Sequence, residues 1–295
     1  MHRTNTLENF KKRHDYLVCI DSDGCVFDNM ELKHKECFCP ATINCWDLQA
    51  VSRYAREVAE FVNLYSRTRG MNRYPALIRT LELLGERESV LRRGYKTPDL
   101  EPLKKWVNEA DVLSISSLLE YIKTNGDPLL LRTARWSKEV DDNIERIVRN
   151  VPPLPYVKEC LNKLKGYADI VVVSATPHDA LVREWTEHGL IDLVNEIAGQ
   201  EHGTKEACIA AANKDDRYGK DKVLMIGDAP GDYNAARSNG VRFYPIIPGK
   251  EEFSWERIYT EVSDLFKNDE YSEKIESIYI GEFFDELPVD PPWIT

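Results

Sequence analysis

The sequence predicts an α/β protein, an open parallel sheet interrupted by a long helical insertion. Short apolar runs, as produced by a sheet covered on both faces, lie at 16–20, 170–174 and 223–228, and 241–247 reads as a further strand with Pro245 near its end. Helical patterns separate the last three runs, and strand alternating with helix is the signature of βαβ units. From 30 to 150, by contrast, every periodic stretch reads as helix.

The first strand, Tyr16-Leu-Val-Cys-Ile20, ends abruptly in Asp21-Ser-Asp-Gly-Cys25. Apolar residues at 51, 54, 58, 61, 62 and 65 then follow helix spacing, and 74–84, 100–109, 114–123 and 140–148 continue the helical pattern. Val151-Pro-Pro-Leu-Pro155 is stiff punctuation that closes the insertion. Beyond it, helices are expected at 157–164, 180–189 and 208–213. Thr176-Pro177 reads as a helix N-cap followed by proline at the first helical position. The tail is expected to hold a helix over 255–266, and the stretch 279–295 is expected to end in a Pro-rich strand-like or irregular segment. The expected organisation is a core formed by 1–29 and 151–250, a helical domain over 30–150, and an acidic C-terminal extension over 251–295.

Composition excludes several classes. With 295 residues, 42% hydrophobic and 30% charged, the chain is not disordered throughout. No apolar run approaches the roughly 20 residues that a membrane helix needs. The polar start, 1–12, lacks the apolar stretch of a secretion signal, and seven cysteines are too few for a disulfide scaffold. A cytoplasmic protein with reduced thiols is the expectation. A net charge of −11 argues against a general nucleic-acid binder. It does not exclude an anionic small molecule, because 251–295 carries 13 acidic and 3 basic residues and holds nearly all of the excess. Between 67 and 96 the balance reverses, with 8 basic and 3 acidic residues.

Ligands of open parallel sheets bind beyond the carboxyl ends of the strands. Three runs end in polar residues there: Asp21 with Asp23, Ser174, and Asp228 with Asp232. Each alone is an ordinary cap or turn. Together they are more than that, since carboxylates converging from two strand ends raise each other's pKa unless a cation joins them. Oxygen ligands in modest number suit Mg²⁺ sharing its sphere with a phosphate. Lys205, opening a helical stretch after Gly203-Thr204, adds an ammonium for the same phosphate. Such a set fits phosphoryl transfer, where positioning and charge compensation do most of the catalysis.

These residues resemble the four motifs of the haloacid dehalogenase superfamily. Asp21-Ser-Asp-Gly-Cys-Val-Phe-Asp28 is similar to DxDGxxxD, Val171-Val-Val-Ser174 to a strand ending in Ser or Thr, Lys205 to the third-motif lysine, and Gly227-Asp-Ala-Pro-Gly-Asp232 to GDxxxD. The order is right and the match spans about 14–248. Cys25 stands where many members have Thr, which reads as packing. The resemblance implies a Rossmann-like core with an inserted helical cap of the C1 type, in the phosphatase and phosphoglucomutase-like branch. It implies Asp21 as nucleophile, Asp23 as acid and base, and Mg²⁺ held by Asp21, the Asp23 carbonyl and Asp228. It implies Ser174 and Lys205 on the phosphoryl oxygens, with Asp232 orienting Lys205 or a metal-bound water. The acid/base Asp23 speaks against the dehalogenase branch, and the motif is not the DKTGT of ion pumps.

The expected activity is hydrolysis of a small phosphorylated metabolite, with a phosphosugar mutase as the alternative and a catalytically silent binding or scaffold protein as the remote one. The sequence does not identify the substrate or the oligomeric state. In the implied cap, Arg67, Arg69 and Arg73 flank Gly70 and are candidates for substrate contact. His34, Cys37, Cys39 and Cys45 lack the paired spacing of zinc sites and read as cap packing.

Overall fold

The computed structural model describes Leu7 and residues 10–294. Five strands form one all-parallel sheet in the order β3-β2-β1-β4-β5: β1 Tyr16–Ile20, β2 Ala168–Val173, β3 Glu196–Ala198, β4 Val223–Gly227 and β5 Arg242–Pro245. The sequence marked four of these. β3 escaped notice because three residues are too few to show a period.

Every residue of β1, β2 and β4 is buried, which is why these strands read as unbroken apolar runs. Their side chains divide by parity. Val18, Ile20, Ile170, Val172, Leu224 and Ile226 join one core, with Leu161, Leu181, Trp185 and Trp255 from covering helices. Leu17, Cys19, Val171, Val173, Val223 and Met225 join the opposite core, with Cys208, Ile209, Ala235 and Ala236. The result is a three-layer arrangement in which no strand of the sheet centre reaches water.

The chain divides into two compact units. One comprises the segment ending at Asp28 together with Val151–Leu287, and the other comprises Asn29–Asn150 with the segment from Pro288. The second unit is helical throughout its regular structure among the described residues, with its own core around Trp106, Trp136, Tyr74 and Leu81. Its longest helix, Pro128–Ile147, has Asp127 as N-cap accepting from the Leu129 N–H at 2.7 Å and proline at its start. That helix begins twelve residues before the stretch expected at 140–148. No helix among the described residues is long and apolar enough to cross a membrane.

The acidic tail is folded into the α/β unit as far as Leu287. Helical turns run over 251–267 and Glu273–Asp285 is a helix; the Pro-rich end over 286–294 is irregular as expected, but 279 does not open that segment. Instead the helix wraps the free edge of β5, placing Tyr279 in one core and Phe283 in the other. The edge strand's outward backbone groups are satisfied by tail side chains. Buried Glu276 accepts from the Phe243 N–H at 2.9 Å, and the Tyr271 hydroxyl donates to the Phe243 carbonyl at 2.8 Å. Glu276 also pairs with Arg242 at 3.2 Å. An unpaired edge would be a template for association, and this cover removes it. Replacing Glu276 by Ala strands a buried N–H and the Arg242 cation. The variant should lose about 2–4 kcal/mol in urea unfolding; a loss under 0.5 kcal/mol would assign the edge cover to apolar packing alone.

Candidate active site

In the order β3-β2-β1-β4-β5 the chain reverses direction across the sheet between β1 and β4, the switch point at which α/β proteins open a ligand crevice. Asp21 follows β1 and Asp228 follows β4, so the two carboxylates flank that point. The Asp21 N–H still donates to the Ile226 carbonyl at 3.0 Å, which extends the ladder one residue and fixes where the first side chain emerges. Immediately afterwards the chain folds back. The Val26 and Phe27 N–H groups both donate to the Ser22 carbonyl at 2.8 and 3.1 Å, and Gly24 takes a φ of 73° to close the turn. Trp185 Nε1 donates to Ser22 Oγ at 3.1 Å and Trp255 Nε1 to the Cys25 carbonyl at 2.7 Å, anchoring the loop from beneath. Cys25 is fully buried, its Sγ 3.7 Å from the Ile226 carbonyl, a packing position.

Asp21, Asp228 and Asp232 bring one carboxylate oxygen each within 4.8 Å of one another, and all three are buried. It is the one such grouping of three or more His, Cys, Asp or Glu side chains among the described residues. The cysteines at 37, 39 and 45 form none and are buried and free. Lys205 lies between two of the three carboxylates, with Nζ 2.7 Å from Asp21 Oδ2 and 2.5 Å from Asp232 Oδ1. It occupies the first position of the helix Lys205–Ala212, whose N-cap Thr204 accepts from the Ala207 N–H at 3.3 Å. Asp232 is locked in turn: its Oδ2 accepts from the Ala229 N–H at 3.1 Å at the start of the helix Pro230–Asn239. Its carboxylate lies where a Cβ on residue 227 would be, 2.3 Å from the Asp232 Cγ, so only glycine fits at that strand end.

The electrostatics follow from burial. Asp21 is pushed up from 3.8 to about 6 by loss of water, opposed by Lys205 and reinforced by Asp232. Asp232 is raised for the same first reason, with Lys205 again opposing. Burial would lower the Lys205 ammonium, but Asp21 and Asp232 together outweigh it and raise the group. Lys205 pairs with two of the three carboxylates, and the cluster retains an excess of negative charge suited to a further cation.

Asp23 lies two residues beyond Asp21, and Ser174 follows β2, the neighbour of β1 in the sheet. Asp23 Oδ2 accepts from Thr176 Oγ1 at 2.7 Å, and Ser174 Oγ accepts from the Thr176 N–H at 3.2 Å. Thr176 is thus not the helix cap that its sequence suggests: the helix His178–Glu187 starts after Pro177 with no side-chain cap, and the hydroxyl turns to Asp23. No pattern in the sequence pointed to that pairing, which joins residues 153 positions apart. Arg69 and Arg73 lie in the helical unit. Arg69 is buried and donates to the Leu64 carbonyl at 3.0 Å, while Arg73 pairs with Asp141 at 2.7 Å and donates to Ser137 Oγ at 3.1 Å.

A Rossmann-like sheet with carboxylates at its switch point defines an α/β class whose chemistry sits at strand carboxyl ends. Within that class the chain belongs to the haloacid dehalogenase-like hydrolases, whose family pattern matches residues 83–246, more than half of its length. That span contains Ser174, Lys205, Asp228 and Asp232, while Asp21 and Asp23 precede it. Solved structures similar to it include a Bacteroides fragilis protein assigned as a haloacid dehalogenase-like hydrolase (17% identity, 81% of this chain and 92% of that one, TM-score 0.49). A Haemophilus somnus protein described as a phosphoglycolate phosphatase is similar at 15% identity (79% and 86%, TM-score 0.48). A Thermotoga maritima protein assigned as a β-phosphoglucomutase is similar at 16% (85% and 99%, TM-score 0.43). No curated protein matches the chain significantly.

Because the fold binds a proton at Asp21 more tightly than the unfolded chain does, the ionised carboxylate destabilises the fold. The contribution of Asp21 to stability should fall as pH rises from about 4 through about 6. Asp21→Asn should therefore raise the melting temperature at pH 7 in the presence of chelator, by roughly 2–4 °C for each kcal/mol regained. Lys205→Met should lower it. A lowered melting temperature for Asp21→Asn would mean that the Lys205 pair outweighs the burial cost.

Proposed function

We propose that the chain is a Mg²⁺-dependent phosphohydrolase that acts on a small phosphate monoester through an aspartyl-phosphate on Asp21. The observation that carries this reading is the buried Asp21–Lys205–Asp232 bridge with Asp228 beside it. The donor set fits the metal: hard carboxylate oxygens gathered within 4.8 Å, with charge left over after Lys205 is counted. Asp21 and Asp228, with the Asp23 carbonyl, would hold the ion. When bound, Mg²⁺ supplies charge neutralisation for the phosphoryl oxygens and keeps Asp21 ionised.

The chain's own groups do the rest. An Asp21 carboxylate oxygen attacks phosphorus and the bond to the ester oxygen breaks, while Asp23 gives its proton to the departing oxygen. Water then attacks the acyl phosphate, its proton passes to Asp23, and the phosphorus–Asp21 bond breaks, releasing phosphate and restoring both aspartates. Lys205 and Ser174 hold the phosphoryl oxygens, and Asp232 keeps the lysine aimed. Lys205 starts from a geometry in which its ammonium already touches the nucleophile, so charge compensation is preorganised. Seven buried free thiols support a reducing, cytoplasmic setting.

Phosphate release from p-nitrophenyl phosphate should require Mg²⁺, stop with EDTA and resume when Mg²⁺ is restored. Asp21→Asn should abolish it, and Asp23→Asn should reduce it about 100- to 10,000-fold. Wild-type release by Asp21→Asn would reject the aspartyl-phosphate mechanism, and no release by the unaltered protein would favour a silent scaffold. An isomerised sugar phosphate without free phosphate, from a panel of phosphorylated sugars, would assign the same residues to a mutase.

A further inference from the structure

We propose that Thr176 is a positioning residue that holds the Asp23 carboxyl in line for proton transfer, a role that rests on the phosphohydrolase reading above. Three observations converge on it. The Thr176 hydroxyl donates to Asp23 Oδ2 at 2.7 Å, at the length of a charge-assisted bond, although it stands where a helix cap is expected. The Thr176 backbone is itself fixed: its N–H donates to Ser174 Oγ at 3.2 Å and its carbonyl accepts from the Gln200 N–H at 3.0 Å. Finally, a second turn presses directly on this segment. A Cβ on Gly199 would lie 2.5 Å from the His178 nitrogen and 2.7 Å from the Thr176 carbonyl oxygen, so glycine alone lets the turn after β3 close over it. The Glu201 carboxylate completes the brace by accepting from the His178 N–H at 3.0 Å.

The consequence is mechanical. Asp23 sits on a loop, only partly buried, and a carboxyl there can rotate about two side-chain torsions. A hydroxyl anchored through both strands' end loops removes that freedom at one oxygen. A carboxyl that must donate to the departing oxygen and later accept from water gains from a fixed orientation in both steps, because misplacement by an ångström is costly in a reacting geometry. Ser174, which by the same reading contacts phosphate, and Thr176, which by this one orients the proton donor, thus lie on one hydrogen-bonded segment.

The test compares two esters. p-Nitrophenyl phosphate expels a weakly basic phenolate that needs little protonation, whereas phenyl phosphate expels one as basic as tyrosine's, with a pKa of about 10. Thr176→Val, which keeps shape and removes the donor, should lower kcat/KM on phenyl phosphate, which reports only the steps through departure of the leaving group, about 10-fold. The loss of kcat/KM on p-nitrophenyl phosphate should be smaller. Thr176→Ser, which keeps the donor, should remain within about 3-fold of wild type on both esters. Unchanged kcat/KM on phenyl phosphate in Thr176→Val, an equal loss of kcat/KM on both esters, or a Ser variant as impaired as the Val variant would each overturn the role. Wild-type protein that releases phosphate from neither ester, or Asp21→Asn that still releases it, would overturn the phosphohydrolase reading, and this inference with it.

Discussion

A single lysine ammonium between two buried aspartates is the interaction on which the arrangement of the α/β unit turns. Isolated carboxylates at the end of a parallel strand are taken out of water by the covering helices, and burial raises them. Lys205 answers part of that cost, and it can do so only because its helix begins beside the ends of β1 and β4. The Thr204 cap sets that starting point, and the missing side chain at Gly227 admits the Asp232 carboxylate to the other flank. The bridge is thus a product of helix register and strand register together. It keeps three like charges close in a state that is not relaxed, as expected where a site is organised for a ligand rather than for stability.

The negative charge of the tail has a different job from the negative charge of the site. Its residues cover and pair. Glu276 caps the edge of β5, Glu286 pairs with Lys250 at 2.5 Å, Glu282 with Arg257 at 2.8 Å, and Asp264 with Lys163 at 2.9 Å. Except for Glu276, these are partly exposed pairs of modest individual worth. Their value lies in fixing where the two helical stretches lie against the sheet, while Trp255, Phe266 and Phe283 supply the apolar burial. Beyond Leu287 the chain leaves this unit for the helical one, where Trp293 stacks on Arg87 at 4.4 Å and meets Phe61 edge-on at 5.5 Å. A net charge of −11 therefore describes surface cover more than it describes what the site attracts.

Four strands were legible because burial on both faces writes itself as an unbroken apolar run, and the helices of the insertion because 3.6-residue spacing survives in a single sequence. The helices at 30–45 and 128–139 were less so. In the first, Cys37, Cys39 and Cys45 replace the usual aliphatic residues, and in the second a charged outer face dilutes the pattern. The tail helix over 273–285 was hidden because its buried stripe, Glu276, Tyr279 and Phe283, opens on a charged residue, while Ile278 is an apolar residue exposed off that stripe.

By itself the sequence determined the sheet's central strands, the residues at their ends and the chemistry that those residues carry, because strand burial and motif spacing are local in the chain. Only the tertiary structure decided which of them meet. The Lys205 bridge joins residues 184 and 27 positions apart, derived from 205 − 21 and 232 − 205. The Thr176–Asp23 bond spans 153, and the Glu276 cap on β5 spans 33. Such pairings depend on the order in which parallel strands are laid beside one another. That order is fixed by how the intervening helices pack, not by any period in the chain.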